Sequence, residues 1–237
     1  MLTARLRQVV AAVPRAEVVA DIGTDHAYVP IRLVRDGIVA RAIATDVREG
    51  PLEAAREHVR RRHLQQRIAC RRGDGLEVIR PGEADGVIMA GMGGEMMTRI
   101  WGASPQVVVS LKFAVLQPMS RYAEARRMLR TAGWHLADEW LAAEKNKIYR
   151  VMYAVNQPAE EQRYPALMDE VGARLWEKRD PLLGRLLARM VRQKARLRDG
   201  LLQAQRPRAD AAERADILTA EIQQLEEWIW QYKSEIS

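Results

Sequence analysis

The side chains best suited to chemistry crowd into one stretch, Asp21-Ile22-Gly23-Thr24-Asp25-His26. Two carboxylates flank a glycine, an imidazole follows the second, and the apolar run Val18-Val19-Ala20 leads directly into them. A short β-branched run that ends in polar groups predicts a buried strand delivering them to the carboxyl edge of a parallel sheet, where open α/β proteins bind ligands. Glycine there lets the backbone turn tightly beside a ligand. A dinucleotide fingerprint would read G-x-G-x-x-G at this point, but the loop has one glycine followed by Thr-Asp-His. Carboxylates would repel a pyrophosphate, whereas they suit a ligand carrying an amine and a sulfonium. S-adenosylmethionine therefore fits this loop better than a nicotinamide cofactor.

Three later loops fall in the same register. Asp46, at the end of the next strand pattern, stands where an acidic side chain accepts ribose hydroxyls. Gly73-Asp74-Gly75 would put Asp74 near the exocyclic amine of a cofactor adenine, although Asp-Gly is also a common turn. Ala90-Gly91-Met92-Gly93-Gly94 alone could be a nucleotide cradle; beside a methyl donor, its small residues permit close approach of backbone to donor and acceptor. Enzymes that methylate exocyclic amines often carry a polar residue, Pro-Pro and an aromatic here, so this loop points to another acceptor atom. Metal catalysis has little support: His26, His58, His63 and His135 show no ligand spacing and read as surface residues. A single cysteine, Cys70 in a buried strand pattern, excludes a disulfide framework or a Cys-based zinc site within the chain, and no nucleophilic triad is recognisable.

The elements that would position these loops follow from periodicity. Leu2, Leu6, Val9, Val10 and Val13 share a face of an amino-terminal helix. Strands are predicted over 17–21, 40–46, 67–75, 84–94 and 112–118, with helices over 27–36, 51–63, 94–101 and 120–132, the last capped by Ser120. Two final strands around the polar turn 144–147 imply an antiparallel hairpin. This describes a doubly wound, mostly parallel sheet with one reversed strand, the arrangement of Rossmann-like methyltransferases.

Composition changes at residue 157, where a polar, Pro-containing linker begins, so residues 1–156 and 157–237 read as separate domains. Leu183, Leu187, Met190, Lys194, Leu197 and Leu201 repeat with heptad spacing, as do Ala211, Ala215, Leu218, Ile222, Leu225, Ile229, Tyr232 and Ile236 beyond Pro207. An antiparallel coiled-coil hairpin turning at Pro207 is expected. Residues 174–208 hold eleven Lys or Arg against three acids, and 209–237 seven acids against two bases. Arg185, Arg189, Arg192 and Arg196 lie two residues past the seam and face away from the partner helix, which suits either an RNA-contacting stripe or a solvated face. Arg60 and Arg61, within an Arg-rich run from 56 to 72, offer a second phosphate-contacting patch or, again, a solvated helix face. The net charge of +7 is compatible with a polyanionic partner. No apolar run approaches the roughly 20 residues that span a bilayer, and a cytoplasmic protein is expected.

DIGTDHAYVP, ATDVREGP, GDGLEVIRPGEAD, AGMGG, LQP and the AGW…DE…KIYRV pattern together resemble the bacterial tRNA (adenine-N1)-methyltransferase family of the TrmK type, which modifies adenine 22 of tRNA. The resemblance covers about residues 1–155 and implies a class I methyltransferase domain with a seven-stranded sheet, followed by a helical domain. It implies Asp25 as the catalytic residue and Asp21, Gly23, His26, Asp46, Val47, Asp74, Gly75, Ala90, Gly91 and Met92 as the cofactor lining, with tRNA as partner; no metal is expected, and the sequence does not settle the oligomeric state, with a monomer favoured. Thr24 stands where the family usually has serine, a change that keeps the hydroxyl, and Met119 stands where asparagine commonly follows LQP, so no polar contact is carried over to that position. A small-molecule methyltransferase, a non-catalytic RNA-binding protein of the same fold and an NAD-dependent dehydrogenase remain alternatives; assays with tRNA, with metabolites and for nicotinamide binding separate them.

Overall fold

In the computed structural model, which describes residues 2–158, 164–204 and 209–234, the apolar run before Asp21 is strand β1 (Ala16–Ile22). It is followed by β2 (Val39–Asp46), β3 (Ile68–Arg72), β4 (Gly86–Met92), β5 (Phe113–Pro118), β6 (His135–Glu144) and β7 (Lys147–Val155). They form one seven-stranded sheet in the order β3-β2-β1-β4-β5-β7-β6. All neighbours from β3 to β5 run parallel, and β7 runs antiparallel to both β5 and β6. The expected doubly wound sheet with a reversed strand is therefore present. Strand order changes direction between β1 and β4, which opens a crevice at their carboxyl ends.

Alternation along the strands feeds two cores. Val19, Ala42, Ala44, Ile88 and Val115 pack under α1 (Ala4–Ala11), α2 (Tyr28–Arg35) and α3 (Glu49–Arg60). Ala20, Ile22, Val87, Met89, Ala114 and Leu116 pack on the other face under α4 (Gly94–Ala103), α5 (Pro105–Ser110) and α6 (Tyr122–Thr131). Two departures from expectation have local causes. Helix α5 is additional: the chain breaks at Ser104 and restarts on Pro105, whose fixed φ suits a first turn. Ser120 does not cap α6; Arg121 does, in the left-handed conformation, because Ser120 and Arg121 turn their carbonyls onto Gly94.

A buried ion pair ties the last hairpin to α6. Arg126 donates from Nε to Oε1 of Glu139 at 2.9 Å, with both side chains sequestered from solvent. Arg150 stacks on the Tyr122 ring, 3.8 Å from its centroid, and burial, reinforced by the Arg126 charge, lowers its pKa to about 10.

Contacts divide the chain into two units, residues 1–164 and 165–237. The second contains α7 (Met168–Val171), α8 (Ala173–Glu177), α9 (Leu183–Leu202) and α10 (Ala211–Ser234). Helices α9 and α10 are antiparallel, since Gly184 lies against Tyr232 while Lys194 pairs with Glu221 at 2.8 Å. The seam departs from strict heptads. Leu197 is exposed, while Leu186 and Trp228 are buried instead. The cause is that α9 covers more than one partner: Lys194 also reaches Glu170 of α7 at 2.9 Å, and Trp176 of α8 packs on Trp228. Residues 159–163 of the linker, the Pro207 turn and Ile236 lie outside the described residues.

Candidate cofactor and catalytic site

Asp21 sits at the carboxyl end of the central strand, between Ala44 of β2 and Ile88 of β4. Only 6% of it is exposed. Burial pushes its carboxyl up to about 6; a hydrogen bond with Thr24 opposes the shift and the nearby Asp46 charge adds to it. Asp21 has no ion pair among the described residues. Asp46, 4% exposed, ends β2 and accepts the Arg48 backbone N–H on Oδ1 at 2.8 Å. The Thr24 N–H donates to the Thr45 carbonyl at 2.8 Å and the Gly73 N–H to the Asp46 carbonyl at 3.1 Å, so the tips of β1, β2 and β3 are held in one ledge.

Gly23 has φ +74°, and a Cβ there would lie 3.0 Å from Cε of Met92. Glycine thus keeps open the cleft between the tips of β1 and β4. Asp25 points outward, its side chain 70% exposed, with Oδ2 3.3 Å from Nε2 of His26. His26 and His58, expected at the surface, are half-buried and mutually packed there. Their rings and that of Tyr28 pack mutually with centroids 5.2–5.3 Å apart, and Nδ1 of His58 lies 3.0 Å from the His26 carbonyl. Nδ1 of His26 is buried without a hydrogen-bond partner among the described residues.

The loops after β4 and β5 close the other side. A bulge between Ala90 and Met92 leaves Gly91 at φ +83°. The Met119 N–H donates to the Met92 carbonyl and the Gly94 N–H to the Ser120 carbonyl, each at 2.9 Å. A Cβ on Gly94 would stand 2.2 Å from the Arg121 carbonyl oxygen. Because that neighbour is backbone, Gly94→Ala is expected to destabilise the protein by about 1–3 kcal/mol, read as a lower denaturation midpoint. Met119 is substantially exposed at this mouth, as are Tyr28 and Val47. Both oxygens of Asp74 face Arg99, at 3.2 and 3.3 Å, and neighbouring Gly75 has φ +58° with Ile100 against it.

Two residues in this region were missed by sequence reasoning. Gln117 near the end of β5 is fully buried and accepts on Oε1 from Nη1 of Arg5 at 2.6 Å. The available signal was a lone cation four residues before the buried Val9, on the flank of an otherwise apolar helix face.

Arg60 and Arg61 both bind the same carboxylate, Glu57, and Arg56 is shared by Glu49 and Glu53. Much of that positive charge is offset locally. On α9, Arg185, Arg189, Arg192 and Arg196 are all exposed, and Arg189, Arg192, Gln193, Arg196 and Leu197 line a surface depression of about 380 Å³. Among the described residues no cluster of three or more His, Cys, Asp or Glu could hold a metal, and no helix is long and apolar enough to cross a membrane.

S-adenosylmethionine fits this donor set. Two buried carboxylates suit an amine at one end and a ribose diol at the other, and Gly23 leaves the space between them clear. The chain is similar to the tRNA (adenine(22)-N(1))-methyltransferase of Bacillus subtilis, 37% identical over 153 residues. That match takes in 65% of this chain and only 64% of the relative's length. The crystal structure of the B. subtilis M1A22 tRNA methyltransferase TrmK superposes with a TM-score of 0.86 at 29% identity, covering 97% of this chain and 99% of that one. A Streptococcus pneumoniae putative tRNA (m1A22) methyltransferase, solved in complex with S-adenosyl-L-methionine, gives 0.83 at 26% identity over 97% and 100%. A family model described as a methyltransferase domain matches residues 2–152, and with the sheet order and the acidic crevice it leads to one assignment: the chain belongs to the methyltransferase domain family.

Proposed function

We propose that this protein is an S-adenosylmethionine-dependent enzyme that methylates N1 of an adenine in tRNA, at position 22. The observation that carries the reading is Asp21: a buried carboxylate beside a second one, with no ion-pair partner among the described residues, gains most from a positively charged ligand. The known relatives support the choice of tRNA and of the N1 position. Asp21, Gly23, His26, Asp46, Val47, Asp74, Gly75, Ala90, Gly91 and Met92 would hold the cofactor, which supplies an electrophilic methyl group. Adenine N1 has an in-plane lone pair, so no proton has to leave before transfer, but the product base is cationic. Asp25 would accept a hydrogen bond from the adenine amino group and stabilise that developing charge, an interaction strengthened as the base excludes water from the mouth. The base must leave its stack to reach this site. The exposed arginines of α9, together with Arg60 and Arg61, would contact phosphates, and their contribution would weaken with salt. Such an enzyme acts where tRNA resides, in the cytoplasm, and we take it to act as a monomer.

The test is incubation with unmodified tRNA and methyl-labelled cofactor, followed by nucleoside mass spectrometry. Labelled 1-methyladenosine that maps to position 22 and disappears when that adenine is replaced by guanine is the expected result. Label in a different nucleoside, or in small metabolites but not in tRNA, overturns the reading.

A further inference from the structure

We infer that His58, on α3, is a positioning residue for methyl transfer: it fixes the peptide unit between His26 and Ala27 and so holds the loop that presents Asp25. The inference rests on the proposed role of Asp25 and adds to that site a residue from outside the loop. Local preference alone does not settle this loop. Ala27 enters α2 in the left-handed conformation, with φ +53°, where the Cβ of an L-residue crowds its own backbone, and it is completely buried. Such a conformation persists only where the surroundings impose it. Two side chains do so, and they act on opposite ends of one peptide unit. The Ala27 N–H donates to Oγ1 of Thr24 at 3.2 Å, and the His26 carbonyl, the other end of that unit, lies 3.0 Å from Nδ1 of His58. A carbonyl only accepts, so Nδ1 carries a proton and donates it.

The two anchors differ in origin. Thr24 acts from within the loop, three residues before Ala27. His58 acts from a separate element, the last turn of α3, whose Ala55 and Val59 are buried in the core, so it refers the loop to the body of the fold. Its ring also packs on those of His26 and Tyr28, with centroids 5.3 and 5.2 Å away. Nε2 of His26 in turn faces Oδ2 of Asp25 at 3.3 Å. A carboxylate that is 70% exposed has little packing of its own to orient it, and an error of about 1 Å in placing a reacting group costs up to about 100-fold in rate. The path from α3 through the backbone and ring of His26 to Asp25 supplies that orientation.

The experiment measures methyl transfer to unmodified tRNA, and cofactor affinity at equilibrium, for His58→Phe, His58→Asn, Asp25→Ala and the pair Asp25→Ala with His58→Phe, with melting curves to confirm folding. Phenylalanine keeps a ring and removes the donor; asparagine removes the ring and keeps an N–H donor on the atom that replaces Nδ1. His58→Phe is expected to lower kcat about 10- to 100-fold, with KM for tRNA and cofactor affinity within about twofold of wild type. His58→Asn should recover most of the rate. In the Asp25→Ala background, His58→Phe should cost less than about twofold more, because a residue that acts through Asp25 has nothing left to orient. Wild-type turnover by His58→Phe, an asparagine variant no faster than the phenylalanine one, losses that multiply in the pair, or a fall in cofactor affinity that accounts for the lost rate each overturns the assignment. If wild type forms no 1-methyladenosine, the proposed function itself fails and takes this role with it, whereas failure of the variants alone leaves that function standing.

Discussion

Asp25→Ala is expected to lower the methyl-transfer rate about 10²- to 10³-fold, the usual consequence of deleting one preorganised group that meets developing charge, while cofactor affinity stays within about twofold of wild type. The separation follows from placement. Asp21 and Asp46 are buried in the ledge, whereas Asp25 projects outward, 70% exposed, with its carboxylate 3.3 Å from His26. An exposed side chain of this kind contributes little to stability, so the variant should melt within about 0.5 kcal/mol of wild type. Asp25→Asn divides the role further. An amide still accepts a hydrogen bond from the adenine amino group but carries no charge, so activity between those of Ala and wild type would show that orientation and charge stabilisation both contribute. Near-normal turnover by Asp25→Ala with cofactor bound would remove Asp25 from the chemistry and leave it, at most, a lining residue.

How much of this could be read from the sequence depends on the range of each interaction. Asp21, Asp46 and Asp74 were legible because each lies within two residues of the carboxyl end of its own strand, and strand order in such sheets brings those ends together. Arg5 was not, because its meaning lies in Gln117, 112 residues away. The His26–His58 contact spans 32 residues and joins the loop before α2 to the last turn of α3, a meeting that local periodicity does not encode. Ser120 is a good helix cap by residue type, but the close seating of Gly94 on the following carbonyls overrides it. In the second unit, heptads describe two helices alone; Glu170 and Trp176 from the preceding short helices widen the buried face of the pair, so Leu186 and Trp228 enter it and Leu197 leaves. The Arg126–Glu139 pair was hidden for the same reason, since each residue alone reads as surface.

The second large effect concerns Asp21, where stability and ligand binding oppose each other. Its folded pKa is raised to about 6 from 3.8, so the folded state binds the proton more tightly than the unfolded one. This stabilising contribution is complete below pH 3.8 and is lost as pH rises through about 6; at neutral pH the buried charge leaves the free protein roughly 3 kcal/mol less stable than with a neutral group there. Asp21→Asn keeps the size and the hydrogen bond to Thr24 without the charge. The free variant should therefore melt above wild type at pH 8, by as much as about 6–12 °C for a chain of this length, and the gap should close towards pH 4. Binding reverses the order. A saturating cationic ligand stabilises whichever protein holds it, by about 2.7 kcal/mol at 100 times Kd, and only wild type retains the carboxylate proposed to pair with the amine. Adding S-adenosylmethionine should raise the wild-type midpoint and leave that of Asp21→Asn nearly fixed. In wild type the affinity should weaken by up to about tenfold per pH unit below 6, as protonation competes with the ligand. If the free variant melts no higher than wild type, burial of Asp21 is compensated by groups other than the ligand. A variant that still binds cofactor normally would show that the amine is recognised elsewhere in the cleft.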